Sequence, residues 1–388
     1  MYNLYGDGIN DDYPAIQRML DSGTASVNLP PPEKCYLLSK TLKIHSNQEL
    51  ILPRFARIRL ADSANCCMLE NAEPRERNEN IRVSGGIWDM NHKNQHPNPY
   101  HFPNPITGEK FKDTAKRLNY NADDRLFIDA YTGHCFRFNS VKNLIFENLT
   151  IVNPVVYGAQ FAFVEDFTVR DLVFDYTEGS PRLWNLDGIH FEGGCRNGYV
   201  KNLKGACHDD LVAITSDDGK NGDIENIVVD GIFAYGSHSA VRLLSVKHKV
   251  RNIHISNVYG TFYVYLVCLS KYYDTPGVRG RFENIYLNNI SASFSEGTAD
   301  VPGHWGALIN IDGEIDVNNL VITDLVREES ICAQPTISVG AAAAVRDFVI
   351  DRVTLKNSLD ETICLLKNDG NISNLSMDNI RLCGNSKI

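Results

Sequence analysis

Three stretches from the second half of the chain decide the fold: NIVVDGI from Asn226, NIHISNV from Asn252 and NIYLNNI from Asn284. Each begins with Asn, alternates apolar residues with other residues, and closes on an apolar residue. Alternation with a period of two is typical of a strand that buries one face. Asn, Asp and Gly at the ends of such a stretch favour turns. Each stretch therefore predicts a short strand held between two turns.

The same pattern recurs along most of the chain. Further copies read NIRVSGG from Asn80, NLIFENL from Asn143, DFTVRDL from Asp166, NGYVKNL from Asn197, NLVITDL from Asn319, DFVIDRV from Asp347 and NLSMDNI from Asn374. From Asn143 onward, a new copy starts roughly every 25–30 residues, which is within the range of solenoid repeats. No helical pattern lies between the copies. A strand that recurs in this way is typical of a solenoid in which each repeat forms one coil.

We therefore predict an all-β parallel β-helix, in which the repeated units pair in chain order at the usual strand spacing of ~4.8 Å. The side chains expected to face inward are the apolar pairs, such as Leu144 with Phe146 and Ile253 with Ile255. We interpret the repeated Asn positions as scaffold, because Asn forms turns and its side chains can hydrogen-bond to one another when coils stack.

Two segments depart from the repeat within what we predict to be a single domain over residues 1–388. The sequence DDYPAIQRML (11–20) predicts a short helix, with an aspartate as its cap and Pro14 in its first turn. A solenoid needs its open apolar end covered, so we expect this helix to act as an N-terminal cap. Residues 89–134 form a long insertion rich in Pro, Asn, His and aromatic residues. Long insertions of this kind commonly serve as lids or binding loops.

The composition restricts the class of protein. The 388 residues are 43% hydrophobic and carry a formal net charge of −10, which disfavours a nucleic-acid partner because nucleic acids bind basic surfaces. No uninterrupted apolar run approaches the ~18 residues of a membrane span. The ten cysteines show no metal-binding spacing, and we expect reduced thiols. The opening MYNLYGDGINDDY lacks the pattern of a signal peptide, so we expect a cytoplasmic protein if the chain is complete, and a secreted or periplasmic one if it is a processed form.

The coil length places several polar residues together. Asp209 follows the repeat residue Asn197 by the same interval at which His238 follows the repeat residue Asn226. Equal offsets predict corresponding positions on neighbouring coils. Asp187 precedes Asp209 by about one coil.

Lys271 follows His238 by about one further coil with a small insertion. We therefore predict one stripe that displays Asp187, Asp209 or Asp210, His238 and Lys271. Carboxylates held this closely repel one another, which raises the pKa of at least one of them. One protonated acid beside an ionised base is the pair that cleavage of a glycosidic bond requires. A bend can direct Asp209 and Asp210 into one cleft, although neighbouring residues of a strand normally point to opposite faces.

These segments resemble glycoside hydrolase family 28, the polygalacturonases. The family motifs are Asn-Thr-Asp, Gly-Asp-Asp, Gly-His-Gly and Arg-Ile-Lys, in that order. The corresponding segments here are Asn185-Leu186-Asp187, His208-Asp209-Asp210, Ser237-His238-Ser239 and Leu269-Ser270-Lys271. The opening GDGINDDYPAIQ (6–17) is also similar to that of many β-helix carbohydrate enzymes and phage tailspikes.

The resemblance implies a right-handed parallel β-helix that hydrolyses O-glycosidic bonds of a pectin-like or related saccharide, with inversion. It implies that Asp209 is the general acid, that Asp187 and Asp210 position and deprotonate the water, and that His238 tunes the acid or holds a hydroxyl. No metal or organic cofactor is implied. Asn185, His208 and Lys271 are the implied substrate-binding residues.

The departures from the family motifs concern the substrate. Leu269 stands where the family has the Arg that, with the Lys, engages a uronate carboxylate, and Leu cannot take over that contact. Arg242 and a following basic run lie nearby in the sequence and are the candidates to compensate; the run is Lys247, His248, Lys249 and Arg251. The insertion 89–134 carries aromatic and histidine side chains suited to sugars. If it folds over the acids, we expect removal of terminal sugars, that is, exo action.

Three other functions remain open from the sequence. A polysaccharide lyase on the same solenoid would use a Lys or Arg base, often with Ca²⁺. A non-catalytic, tailspike-like carbohydrate-binding β-helix would present a shallow aromatic groove without a pKa-perturbed carboxylate cluster. A structural adhesin would have no cleft.

Overall fold

The computed structural model describes residues 4–117, 130–176, 184–273, 275–298 and 303–388, and strands dominate these residues. The chain divides into two compact units, Met1–His190 and Phe191–Ile388. We describe each unit separately. The prediction of a single domain over residues 1–388 stays a prediction.

The first unit contains short strands that pair in parallel from coil to coil. Its strands are β1 (Asp7–Asp11), β2 (Ser26–Asn28), β3 (Cys35–Leu38), β4 (Leu42–Ile44), β5 (Gln48–Ile51), β6 (Arg57–Leu60), β7 (Leu69–Asn71), β8 (Asn78–Ser84), β9 (Ile87–Asp89), β10 (Phe136–Asn139), β11 (Val141–Glu147), β12 (Thr150–Val152), β13 (Ala159–Ala162) and β14 (Glu165–Asp175). Strand β15 (Ile189–Glu192) contains the boundary between the units. The repeated units starting at Asn80, Asn143 and Asp166 lie in β8, β11 and β14, which pair in parallel in that order.

The helix predicted over 11–20 is α1 (Tyr13–Leu20), with Asp12 at its N-cap and Pro14 in its first turn. Asp12 does not cap the helix with its side chain. Its carboxylate instead accepts backbone N–H groups from Tyr5, Gly6 and Leu37, whereas Asp11 accepts the N–H of Tyr13. Helix α1 packs on β4, and Gln17 hydrogen-bonds to both backbone groups of Lys43. The helix therefore covers the first coils, as a cap should.

The second unit has longer strands, because many of them continue around a corner of the coil. They are β16 (Arg196–Ala206), β17 (Asp210–Thr215), β18 (Asp217–Asp218), β19 (Lys220–Asn221), β20 (Ile224–Leu244), β21 (Lys249–Ser270), β22 (Gly280–Phe294), β23 (Ile309–Asp312), β24 (Ile315–Glu329), β25 (Ile337–Val339), β26 (Ala344–Asn357), β27 (Ile363–Cys364), β28 (Leu366–Asn368), β29 (Asn371–Cys383) and β30 (Ser386–Lys387). Strands β16, β20, β21, β22, β24, β26 and β29 pair in parallel in that order. The short pair β18–β19 is antiparallel.

The repeated Asn residues are scaffold, as the sequence predicts. Asn252 has a left-handed backbone (φ 54°), its amide donates to Asn226, and its carbonyl accepts from Asn284. Asn226 donates to Asn197 and Asn319 donates to Asn284 in the same way. These bonds join successive coils along one corner, because a short amide side chain at a left-handed residue can reach its counterpart one coil away.

The interior of each unit is apolar. Leu144 and Phe146 are fully buried in the first unit, and Ile253 and Ile255 are buried in the second. Strands alternate between these inward side chains and outward polar ones, so the parallel β-helix predicted from the repeats is confirmed. All ten cysteines carry free thiols. Within the described ranges, no helix has the length and apolar character needed to cross a membrane.

The insertion lies between β9 and β10 of the first unit. Its described part contains a short 3₁₀ helix (His92–Asn94) and helix α2 (Phe111–Arg117). Aromatic contacts hold it together: the Tyr100 and Phe111 rings are 4.7 Å apart, and the Tyr131 hydroxyl donates to the carbonyl of His96. Part of the insertion, residues 118–129, lies outside the described residues.

Candidate functional site

Three neighbouring strands of the second unit carry the side chains of the candidate site. Asp210 opens β17 and pairs in register with Ser239 of β20, and Ser239 pairs in turn with Tyr265 of β21. Asp209 and His238 directly precede Asp210 and Ser239. They therefore lie at matching positions on adjacent coils, as their equal offsets from the repeated Asn residues predict.

Asp209, Asp210 and His238 form a tight cluster. One side-chain oxygen or nitrogen from each lies within 4.8 Å of the other two, and Nδ1 of His238 is 3.8 Å from Oδ1 of Asp209. Asp210 and His238 are buried, whereas 17% of the Asp209 side chain is exposed. The cluster combines a reachable carboxylate with a buried one, and its spacing would also suit a bound metal ion.

Burial raises the pKa of Asp210, and the neighbouring charge of Asp209 raises it further. Arg242, His238 and Tyr265 act in the opposite direction without reversing the shift. The Tyr265 hydroxyl donates to Oδ1 of Asp210 at 2.7 Å, and Nη1 of Arg242 lies 3.7 Å from Oδ2. One carboxylate of the cluster, Asp210, therefore has a raised pKa, with burial as the larger cause and repulsion by Asp209 as the second.

His238 is neutral near pH 7, because burial lowers its pKa to about 4. Its Nδ1 lies 2.7 Å from the hydroxyl oxygen of Ser239. Its Nε2 is buried and has no hydrogen-bond partner among the described residues. The His238 ring makes edge contacts with Tyr263 at 5.3 Å and with Trp305 at 5.7 Å between ring centroids. Trp305 is itself 59% exposed, so an aromatic face is open to solvent next to the histidine.

Arg242 lies on the other side of Asp210. Its guanidinium group stacks over the exposed ring of Tyr272 at 5.0 Å. Within the described part of the chain, its Nε is buried without a hydrogen-bond partner, and so is the hydroxyl of Tyr263. Buried polar atoms without partners are rare in folded proteins and are costly unless a ligand or water satisfies them. Three of them, including Nε2 of His238, lie around one pair of acids.

The predicted position of Lys271 beside His238 is wrong. Ser239 pairs with Tyr265 and Leu244 pairs with Ser270, so Lys271 follows the end of β21. Its ammonium group donates to the carbonyls of Thr275 and Val278 and to Glu314, at 2.6 to 2.8 Å. The prediction failed because the interval between His238 and Lys271 is several residues longer than the coil that joins β20 to β21. A substrate-binding role for Lys271 stays a prediction.

Two further residues of the motifs have clear positions. Leu269 is fully buried in the core, so this position does not present a side chain to the acids. His208 directly precedes Asp209, and its charge lowers the pKa of His238, so it lies near the cluster. Its predicted role in substrate binding stays a prediction.

The first unit holds Asp187 in a second polar group. Oδ2 of Asp187 is 2.5 Å from Nδ1 of His190, and both side chains are buried. The His190 ring stacks on Tyr157 at 4.2 Å, and Tyr157 stacks on His134 at 4.8 Å. Asp187 is thus held by a histidine three residues further along the chain. Its predicted cooperation with Asp209 and Asp210 stays a prediction.

The insertion contacts the segment that contains Asp187. Nε2 of His101 is 2.8 Å from Oδ1 of Asn185, and the amide of Asn98 donates to the carbonyl of Trp184 at 3.2 Å. The His101 and Trp184 rings meet edge to face at 5.8 Å. Asn185, predicted to bind substrate, therefore has a protein partner on the insertion, which packs two residues from Asp187.

Several residues of the site escaped the sequence analysis. Tyr265 follows Ser239 by one coil, and His190 follows Asp187 by three residues, so both had a spacing signal that could have revealed them. Tyr263, in β21, follows the His238 segment by one coil and had the same signal. Trp305 had none, because it lies outside the strands.

The fold is shared with proteins of several activities. No protein-family model matches the chain, and no curated protein matches it. Among solved structures, it is similar to PfbA, a surface adhesin of Streptococcus pneumoniae, with a TM-score of 0.70 and 14% identity over 100% of this chain and 91% of that one.

A hyperthermoactive exopolygalacturonase from Thermotoga maritima has a TM-score of 0.69 and 16% identity over 97% of this chain and 90% of that one. The tailspike of E. coli bacteriophage HK620, solved with a pentasaccharide, has a TM-score of 0.65 and 14% identity over 98% of this chain and 64% of that one. At these identities the likeness shows the parallel β-helix fold alone.

Proposed function

We propose that the chain is an O-glycosyl hydrolase that acts on a pectin-like or related saccharide. The observation that carries this proposal is the cluster of Asp209, Asp210 and His238, in which two carboxylates and a neutral imidazole lie within 4.8 Å. Pairs of titratable groups with perturbed pKa values are the usual machinery of acid–base catalysis. An adhesin that acts only as a scaffold has no need of such a pair.

In this proposal Asp209 is the general acid, because it is the more exposed of the two carboxylates and can reach a glycosidic oxygen. Asp210 accepts a proton from the attacking water in its ionised form, which Arg242 and Tyr265 favour against the burial and the Asp209 charge that raise its pKa. His238, neutral at working pH, hydrogen-bonds a sugar hydroxyl through Nε2. Participation of Asp187 with Asp210 stays a prediction from the motif resemblance.

The stereochemical outcome is a separate part of the proposal. The resemblance implies inversion, but inverting enzymes commonly separate acid and base by ~6.5–9.5 Å. The chosen oxygens of Asp209 and Asp210 lie within 4.8 Å, which is closer than that range. Proton NMR of the first product anomer, recorded before mutarotation, distinguishes inversion from retention.

The surroundings of the acids favour a sugar ligand. Trp305 offers an exposed aromatic face beside His238, and sugars stack on such faces. The Tyr263 hydroxyl and Nε2 of His238 are polar atoms that sugar hydroxyls could satisfy. Arg242 is a cation beside Asp210, and we propose that it contacts an acidic group of the substrate in place of the family Arg.

The insertion supports exo action. His101 and Asn98 anchor it to Trp184 and Asn185 of the first unit, close in sequence to Asp187. If the insertion closes one end of the substrate groove, chain ends can enter and a polymer cannot pass through. We therefore propose that short products are released from a terminus.

The test is a reducing-sugar assay across pectic polymers and oligosaccharides, with product sizes followed over time. We expect Asp209→Asn to lower kcat by ~10²–10⁴, the range for loss of a general acid, while the unfolding transition stays unchanged. Mono- or disaccharides should appear at the first time point. Full activity of Asp209→Asn would refute the hydrolase proposal, and an early ladder of long oligomers would refute exo action alone.

A polysaccharide lyase is the second candidate. Asp209, Asp210 and His238 are spaced to hold a cation, as a lyase that depends on Ca²⁺ would require. A lyase would give an unsaturated, ultraviolet-absorbing product and would lose activity on chelation. A hydrolase would give neither result, so the same assay with and without a chelator separates the two functions.

A further inference from the structure

Tyr265 reaches Asp210 across an intervening coil. The two residues share a register with Ser239, which lies between them in the middle strand. Strands in a sheet are ~4.8 Å apart, so the backbones of Asp210 and Tyr265 are separated by about two such spacings. A tyrosine side chain and an aspartate side chain together bridge that distance, and the two oxygens meet at 2.7 Å.

The bridge depends on a small residue in the middle strand. Ser239 is fully buried, and its hydroxyl oxygen lies 2.7 Å from Nδ1 of His238. A branched or longer side chain at this position would occupy the space between the phenol and the carboxylate. One small residue therefore serves both neighbours: it leaves room for Tyr265 and hydrogen-bonds the histidine.

In this hydrogen bond Tyr265 is the donor and Asp210 the acceptor. Burial and the charge of Asp210 raise the pKa of Tyr265 well above its ordinary value, so the phenol stays protonated and donates. Asp210 therefore accepts through Oδ1, while Oδ2 faces Arg242. The other groups that face this carboxylate are Asp209, which opposes its ionisation, and His238, which favours it.

We propose that Tyr265 is a positioning residue of the candidate site: its hydroxyl fixes the orientation of the Asp210 carboxylate and favours the ionised form of that carboxylate. This inference rests on the proposed function for its catalytic meaning. The donated hydrogen bond favours the ionised carboxylate and fixes Oδ1, so that Oδ2, on the side of Arg242, is the oxygen left for a further contact. Asp209, the more exposed carboxylate, takes the acid role.

Tyr265→Phe tests the inference because it removes one hydroxyl and retains the ring. We expect the titration midpoint of Asp210, followed by NMR of ¹³C-labelled aspartate carboxyls and assigned with Asp210→Asn, to rise by about one pH unit. The acidic limb of the kcat/KM profile should move in the same direction, with kcat lowered more than KM is raised. The matched control is Tyr259→Phe, the same change on the same strand at an outward position, which should alter neither quantity.

Ser239→Val provides a second route, since it fills the gap and displaces the phenol while Tyr265 itself is intact. It should raise the midpoint as Tyr265→Phe does. An unchanged Asp210 midpoint in Tyr265→Phe would overturn the inference, whatever the activity. If instead the midpoint moves while Asp209→Asn keeps full activity on every saccharide that the wild type cleaves, the proposed function fails and the positioning contact stands.

Discussion

Asp210 and Asp217 are two buried aspartates of the same coil, seven residues apart, with opposite electrostatics. Burial raises the pKa of both. For Asp217 the effect is outweighed by His248, whose ring nitrogen is 2.5 Å away, and by the backbone N–H groups of Val246, Lys247 and His248 at 2.8 to 2.9 Å, so its pKa is lowered. Asp210 accepts a hydrogen bond from Tyr265 but has a like charge beside it, so its pKa stays raised.

The difference separates scaffold from candidate site. Asp217 fastens the β18–β19 turn to the loop after β20, and its carboxylate is saturated by donors from its own unit. Asp210 lies among buried polar atoms that the described residues do not satisfy. A carboxylate that several donors of the fold address contributes to stability, whereas one beside another acid and among unsatisfied polar atoms is available for chemistry.

The substitution that should separate the two aspartates most clearly is Asp217→Asn, through its effect on the free energy of unfolding. Asp217→Asn removes the charge that several donors address, and Asn offers one fewer acceptor oxygen. We expect a loss of roughly 2–4 kcal/mol in the free energy of unfolding, measured by urea denaturation. The matched control is Asp223→Asn, an exposed aspartate that accepts a backbone N–H from Lys249; its loss should stay below about 1 kcal/mol. Equal losses in the two variants would break the distinction.

The sequence predicted the fold and the grouping of Asp209, Asp210 and His238 for one reason: the repeat gives the length of a coil. Asp209 and His238 could be matched because both follow a repeat Asn by the same interval. The coil length failed to place Lys271, because β20 and β21 pair at an offset shorter than the interval from His238 to Lys271, so Lys271 lies further along its coil than His238 does. The coil length could not predict the contact between Trp305 and His238. Nor could it predict the contact between His101 and Asn185, which lie far apart in the sequence. Such contacts depend on loop conformation, which no periodicity encodes.

A second prediction uses pH to test the same contrast. Because the folded-state pKa of Asp217 is lowered, its contribution to stability is present above the unfolded-state pKa near 4 and is lost as the pH falls through the lower folded-state value. The difference in unfolding free energy between wild type and Asp217→Asn should therefore be constant above about pH 5 and shrink toward pH 2. Urea denaturation of both proteins across this range measures it. A difference that grows on acidification would contradict the assignment.

A third prediction concerns what keeps the pKa of Asp210 high. Burial is the larger cause and the charge of Asp209 the second, so removing that charge should leave the shift reduced and not abolished. Two carboxylates with oxygens within 4.8 Å of each other interact by an energy equivalent to about two to three pH units at an effective dielectric of about 20. Asp209→Asn should lower the Asp210 midpoint by that amount, measured by NMR of labelled carboxyls. The same substitution should leave the pKa of Asp217 unchanged, because hydrogen-bond donors and not a neighbouring acid set that pKa. A fall of the Asp210 midpoint to that of an exposed aspartate would mean that Asp209 alone raises it, and the contrast between the two aspartates would then rest on charge repulsion and not on how fully the fold satisfies each carboxylate.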